Sequence, residues 1–219
     1  MIYWKTIDSK RKSVLKKLCI QPFIKDFYLA GGTALSLELG LRKSEDFDFF
    51  TLKPFAEDQL YAELAKALGK KPQVISLDEG TCDVNADGIQ ITFFSYPHRL
   101  LAPFVVAPEL PGLRMASLED IATMKMAAIG SRSAKKDFYD LYHILILKNW
   151  KAEELIALLN KKYGKKGWGA SRYVMSLSYF DPAEGEPLPQ CYVPCDWDRI
   201  KTFFLAYQKE MLSALEKDI

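Results

Sequence analysis

Residues 28–50 read YLAGGTALSLELGLRKSEDFDFF, and the rest of the chain is interpreted around them. An apolar run ends in Gly31-Gly32-Thr33, a helical pattern follows through residue 41, and Asp46-Phe47-Asp48 opens a second apolar run. Asp46 and Asp48 are two apart, so on a strand both carboxylates leave the same face, about 6 to 7 Å apart along the backbone. Two hard oxygen donors so placed suit a divalent cation, although a bare Asp-x-Asp is ordinarily a solvated strand face. The glycines upstream alter that balance. Gly31 and Gly32 permit close backbone approach, and Thr33 is expected to cap the following helix, whose free N–H groups then face an anion. A phosphate site is thereby set opposite a metal site.

This order of a Gly-Gly helix start and an Asp-x-Asp strand resembles the signature of the nucleotidyltransferase superfamily. The fuller pattern is similar to the AbiEii/AbiGii-type toxin family, a group of minimal nucleotidyltransferases that includes the MenT toxins. Its carriers here are Gly31-Gly32-Thr33-Ala34-Leu35, then Arg42, Ser44, Asp46 and Asp48, and later Ser117-Leu118-Glu119-Asp120 through Lys125 to Lys136-Asp137 and Asp140-Leu141. The resemblance implies Mg²⁺ on Asp46 and Asp48, and an NTP held by Gly31, Gly32, Thr33, Arg42, Ser44 and Lys125. It further implies an active-site role for Asp137, and a toxin paired with an antitoxin, with tRNA as acceptor.

At 219 residues and 49% hydrophobic, the chain is able to bury a real core in one domain or two small ones. The net charge of +2 gives no global polyanion signal, so a nucleic-acid surface must be local. Basic residues cluster at Lys10, Arg11, Lys12, Lys16 and Lys17, and again at Lys161, Lys162, Lys165 and Lys166; each cluster is ordinarily a solvated helix face. Cys19, Cys82, Cys191 and Cys195 lack zinc-ribbon spacing and are expected to be free thiols, with a 191–195 bridge or metal site the lesser alternative. No apolar run reaches membrane-spanning length and no leader pattern opens the chain, which points to a soluble cytoplasmic protein.

In chain order, helical patterns are expected over 8–20, 33–41 and 56–68, and strands over 28–30, 46–51, 73–77, 81–85 and 89–96. Asp87-Gly88 is a hairpin signal, so the sheet must be mixed. Its last strand carries only Gln90 and Thr92 where many nucleotidyltransferases place a third carboxylate. Asp83 and Asp87 lie nearby, the first on the partner strand and the second in the turn. Four prolines in 97–112 argue against regular structure there. Beyond it the pattern is helical, over 118–130, 134–148, 151–163, 170–179 and 197–215. The expectation is therefore an α+β chain: a nucleotidyltransferase-like mixed sheet with flanking helices over 1–112, and a helical half over 113–219 that closes the cleft.

Lys125 falls on an apolar helix face, where an unpaired lysine is expensive to bury. It is read as facing the cleft, on a phosphate or an active-site carboxylate, so that Lys125→Met weakens triphosphate binding with little unfolding; a snorkelling stem is the alternative. Asp137 and Asp140 share a helix face, with Lys136 placed to pair with Asp140 and Asp140 itself read as a helix-dipole partner. The resemblance implies that Asp137 positions or deprotonates the acceptor hydroxyl. Arg132, Lys135 and Lys136, joined by 161–166, form the candidate basic strip for RNA. His143 is read as structural and His98 as a loop residue. Two rivals remain: transfer to a small hydroxylated molecule, and a nucleotide- or protein-binding homologue weakened in catalysis by the missing carboxylate.

Overall fold

A computed structural model of the chain describes residues 1–165, 168–194 and 196–217. Lys166 and Cys195, and with the latter the 191–195 bridge, lie outside the described residues. The chain divides into two compact units, one of residues 1–98 and 103–117, the other of 99–102 and 118–219.

The first unit is a seven-stranded mixed sheet in the order β3-β4-β5-β2-β1-β7-β6. Its strands are β1 (Tyr28–Leu29), β2 (Phe47–Thr51), β3 (Gln73–Asp78), β4 (Thr81–Asn85), β5 (Gln90–Ser95), β6 (Val105–Val106) and β7 (Arg114–Met115). Helices α1 (Ser9–Cys19), α2 (Gly31–Leu39) and α3 (Glu57–Leu68) flank it. Alternation sets the faces of β2: Phe47, Phe49 and Thr51 are buried, while Asp46, just ahead of the strand, Asp48 and Phe50 are half-buried. The buried face closes through aromatic packing, with Phe49 stacked on Phe93 at 4.9 Å and Phe27 edge-on to Phe93 at 4.9 Å. β2 runs parallel to β5 and antiparallel to β1. β4 and β5 form the expected hairpin, because Asp87 and Gly88 both take positive φ, 55° and 81°, as a tight two-residue turn requires.

The proline-bearing stretch departs from expectation. It contains the short strand β6, which pairs with β7, and β7 in turn pairs with β1 through Leu29 and Met115. Prolines at 103, 108 and 111 all miss the two paired residues, so two-residue ladders survive between them.

The second unit is built from α4 (Leu118–Arg132), α5 (Lys135–Lys148), α6 (Ala152–Tyr163), α7 (Ala170–Ser176), α8 (Asp181–Glu184) and α9 (Trp197–Lys217). α8 lies between the expected helices 170–179 and 197–215. Ile121, Met126, Ile129, Phe138, Leu141 and Phe204 are fully buried in its core. Among the described residues no helix is long and apolar enough to cross a membrane.

Candidate active site

β1 ends at Leu29, and the chain turns within one residue into α2. Gly31 makes that turn at φ +63°, a left-handed conformation that L side chains rarely adopt. The N-cap position is Ala30, with no side-chain cap. Thr33 is therefore not the expected cap but the third residue of the helix. Its hydroxyl is used elsewhere: Oγ1 hydrogen-bonds to the Asp46 carbonyl and to Ser44 Oγ, the latter at 2.7 Å. Thr33 and Ser44 are both buried, and together they fasten the first turn of α2 to the residue just ahead of β2. They position Asp46.

Two further contacts explain the glycine pair. A Cβ on Gly31 would lie 2.8 Å from Asp48 Oδ2, and one on Gly32 would collide with the Arg42 guanidinium. The Asp48 carbonyl accepts from the Ala30 N–H at 2.9 Å, which holds β2 against the turn. Arg42 is buried and donates to the Lys43 carbonyl at 3.0 Å, so its charge lies against the Gly-Gly turn, at a helix end whose first N–H groups lack intrahelical acceptors. Gly31, Gly32, Thr33, Arg42, Ser44, Asp46 and Asp48 are thus one local assembly within the first unit.

Asp46 and Asp48 are hard oxygen donors on one sheet face, and the space beside Asp48 is the one a Cβ at position 31 would fill. Among the described residues no group of three or more His, Cys, Asp or Glu is arranged to hold a metal. Two carboxylates suit Mg²⁺, which completes its octahedron with water and substrate phosphate oxygens.

Register adds a third acid to this face. Asp48 is opposite Thr92, and Thr92 is opposite Asp83, so the three side chains leave the same side of adjacent strands. Asp83 accepts from Thr92 Oγ1 at 3.0 Å and from Gln90 Nε2 at 2.8 Å. Asp87 is instead ion-paired with Lys70 at the hairpin tip.

In the second unit, Lys125 is buried with its Nζ 2.8 Å from Asp137 Oδ1 and 2.6 Å from Asp140 Oδ2. Arg132 closes the other side of Asp137, Nε to Oδ2 at 2.7 Å and Nη2 to Oδ1 at 3.1 Å. Burial alone would raise the Asp137 pKa; the Lys125 charge, with the hydrogen bond and charge of Arg132, outweighs it and holds the carboxyl well below the usual range. Both oxygens of Asp137 are taken by cations, so the carboxylate orients Lys125 and Arg132. Asp140, expected as a helix-dipole partner with Lys136 placed to pair with it, is fully buried and bound to Lys125, while Lys136 is exposed. The i to i+4 spacing gave proximity, but burial selected the partner.

The basic strip expected on this unit does not form as read. Lys135 is buried and donates to the Glu186 carbonyl at 2.7 Å, Lys161 donates to the Leu101 carbonyl at 3.2 Å, and Lys162 is buried in an ion pair with Asp120 at 2.6 Å. Asp120 also accepts from the Leu101 N–H, so it does more than complement a helix dipole. His143 packs edge-on against Tyr139 at 4.3 Å, and His98 finds a ring partner in Tyr96 at 4.6 Å.

A mixed sheet with paired aspartates against a Gly-Gly helix start defines a nucleotidyltransferase. The profile described as nucleotidyl transferase AbiEii toxin, type IV toxin–antitoxin system, matches residues 13–93 and 62–210. The chain belongs to that family. An uncharacterized protein of Aquifex aeolicus (strain VF5) is 35% identical over 208 residues, 94% of this chain and 98% of that protein. Among solved structures, a putative nucleotidyltransferase from H. pylori superposes with a TM-score of 0.56 at 19% identity, over 95% of this chain and 94% of its own. MenT4, a nucleotidyltransferase toxin from Mycobacterium tuberculosis H37Rv, gives 0.57 at 17% identity, over 92% and 82%. At these identities the two structures establish a shared fold.

Proposed function

We propose that the chain is the toxin of a toxin–antitoxin pair and transfers an NMP from an NTP to the hydroxyl of an RNA acceptor, of the tRNA class, in the cytoplasm. The observation that carries this reading is the packing of Asp48 against Gly31, with Asp46 fixed beside it through Thr33 and Ser44. Mg²⁺ bound by Asp46 and Asp48 would neutralise phosphate charge. The acceptor hydroxyl releases its proton to solvent as its oxygen attacks the α-phosphorus in line; a new O–P bond forms, the bond to the bridging oxygen breaks, and pyrophosphate leaves with that electron pair.

The chain's own residues supply binding and placement. Backbone N–H groups at the Gly31-Gly32 turn, backed by the Arg42 charge, receive triphosphate oxygens. Thr33 and Ser44 hold Asp46 in register. Within the helical unit, Lys125 is held between Asp137 and Asp140. Asp137 acts as a positioning residue in this scheme.

Incubation with each α-labelled NTP and Mg²⁺, with and without a tRNA pool, tests the proposal. Label on RNA, lost in Asp48→Asn, is the expected result. Label on a small hydroxylated molecule would transfer the proposal to the small-acceptor reading. NTP binding without turnover would favour a catalytically weakened homologue, a reading that rests on Thr92 occupying the position opposite Asp48.

A further inference from the structure

Helix α1 carries five of the chain's basic residues within eight positions, 10–17. Two of them act as anchors. Lys10 bonds to the Asp87 carbonyl, and Arg11 binds the Asp8 carboxylate while its Nε donates to the Glu45 carbonyl at 2.5 Å. Glu45 immediately precedes Asp46. The turn ahead of α1 is tied to the same loop, because the Thr6 carbonyl accepts from the Ser44 N–H at 2.8 Å. Trp4 to Arg11 is thus fixed against the segment that delivers Asp46 into the site.

Beyond that anchor, Lys12 and Lys16 both lie over the Trp4 ring, their Nζ atoms 4.3 and 5.7 Å from its centroid. They are one helical turn apart, on one face, where like charges repel. Among the described residues neither has an acidic partner. The indole holds the two stems in place, so the ammonium groups are ordered before any ligand arrives. Two ordered, unneutralised cations next to the site loop form a surface for a polyanion. The basic residues of the helical unit, by contrast, are largely taken up by internal partners.

We propose that Trp4, Lys12 and Lys16 bind the phosphate backbone of the acceptor RNA and guide it toward Asp46 and Asp48. The inference rests on the RNA-acceptor reading above, with an acidic protein as the competing occupant. Phosphate neutralisation by each lysine adds roughly 0.7 to the slope of log affinity against log salt for a single strand.

The test is fluorescence anisotropy of a labelled mixed-sequence single-stranded RNA, from about 50 to 200 mM salt, the range over which counterion release is steep. K12Q/K16Q should lower the slope by about 1.4, from two neutralised phosphates. K12R/K16R should retain it, and a fluorescent NTP should bind all three proteins alike. An unchanged slope in K12Q/K16Q overturns the proposal, as does wild-type protein that binds no RNA at low salt but captures an acidic polypeptide through this face. Transfer to RNA with an unchanged slope sinks this inference alone. A lowered slope without any nucleotidyl transfer supports the surface and sinks the functional reading instead.

Discussion

Gly31 and Asp48 approach each other so closely that a Cβ at position 31 would lie 2.8 Å from Asp48 Oδ2, in a backbone conformation of φ +63° that disfavours any side chain. Gly31→Ala therefore meets two separate penalties. The left-handed conformation costs about 1 to 2 kcal/mol, and the carboxylate must also move. The expected outcome is a lower Tm together with loss of Mg²⁺-dependent nucleotidyl transfer. Full activity at wild-type Tm would show that the carboxylate has no fixed place.

Asp48→Asn separates chemistry from packing, because the amide keeps the shape and loses the charge. Asp48 is half-buried at the site face, so the change in stability should stay within roughly 1 kcal/mol. Transfer should fall by orders of magnitude, and Asp46→Asn should behave alike. Calorimetric unfolding and label incorporation, measured on the same preparations, check both halves; a large fall in Tm would mark the aspartates as structural.

Lys125 holds two buried carboxylates at once. Lys125→Met, expected to be nearly neutral for folding, leaves Asp137 and Asp140 both buried without their shared cation. Breaking a buried pair in this way costs about 3 to 5 kcal/mol. The variant should melt well below wild type, and any loss of NTP affinity must be read on the fraction that remains folded. An unchanged Tm would show that water reaches the cluster.

The same cluster sets an acid limit. The Asp137 pKa is lower folded than unfolded, so its stabilisation is fully present above the ordinary value of 3.8 and is lost as pH falls from there toward the depressed folded value. Arg132→Ala removes one of the two charges responsible and narrows the gap between the folded and unfolded pKa values. Urea midpoints from pH 6 to pH 2 should show wild type losing stability across the acid range, with Arg132→Ala gaining less stability from that aspartate at neutral pH. Parallel curves, displaced by nothing, would place the Asp137 effect elsewhere.

Much of the first unit is legible in its own sequence because its signals are local. The Gly-Gly turn, the alternation of Asp46 to Thr51 and the Asp87-Gly88 hairpin each rest on residues within a few positions. What escaped are pairings across the chain. No spacing rule joins Asp48 to Thr92, because β2 and β5 are parallel strands about 44 positions apart, and Lys125 could have paired with any nearby acid until α4 and α5 packed together. Thr33 illustrates a second limit: a threonine after glycines is a fair cap by local rules, but tertiary contact with Ser44 and Asp46 took its hydroxyl.

Asp83 is the sharpest case, since half of its placement was readable. Cys82 and Val84 are fully buried, which sends Thr81, Asp83 and Asn85 to the opposite face, and the tight hairpin pairs Asp83 with Thr92. Only the parallel pairing of Thr92 with Asp48 brings that face alongside Asp48. Two strand spacings, about 10 Å, separate the Asp48 and Asp83 backbones, with Thr92 between them. Asp83→Asn preserves an acceptor for Thr92 and Gln90 while removing the charge. If Asp83 serves as the third acid of the site, transfer should drop at least about tenfold, the equivalent of 1.4 kcal/mol in the barrier, with Tm nearly unchanged. Equal activity in Asp83→Asn and wild type would reduce Asp83 to a brace for the β4–β5 hairpin and leave catalysis to two carboxylates.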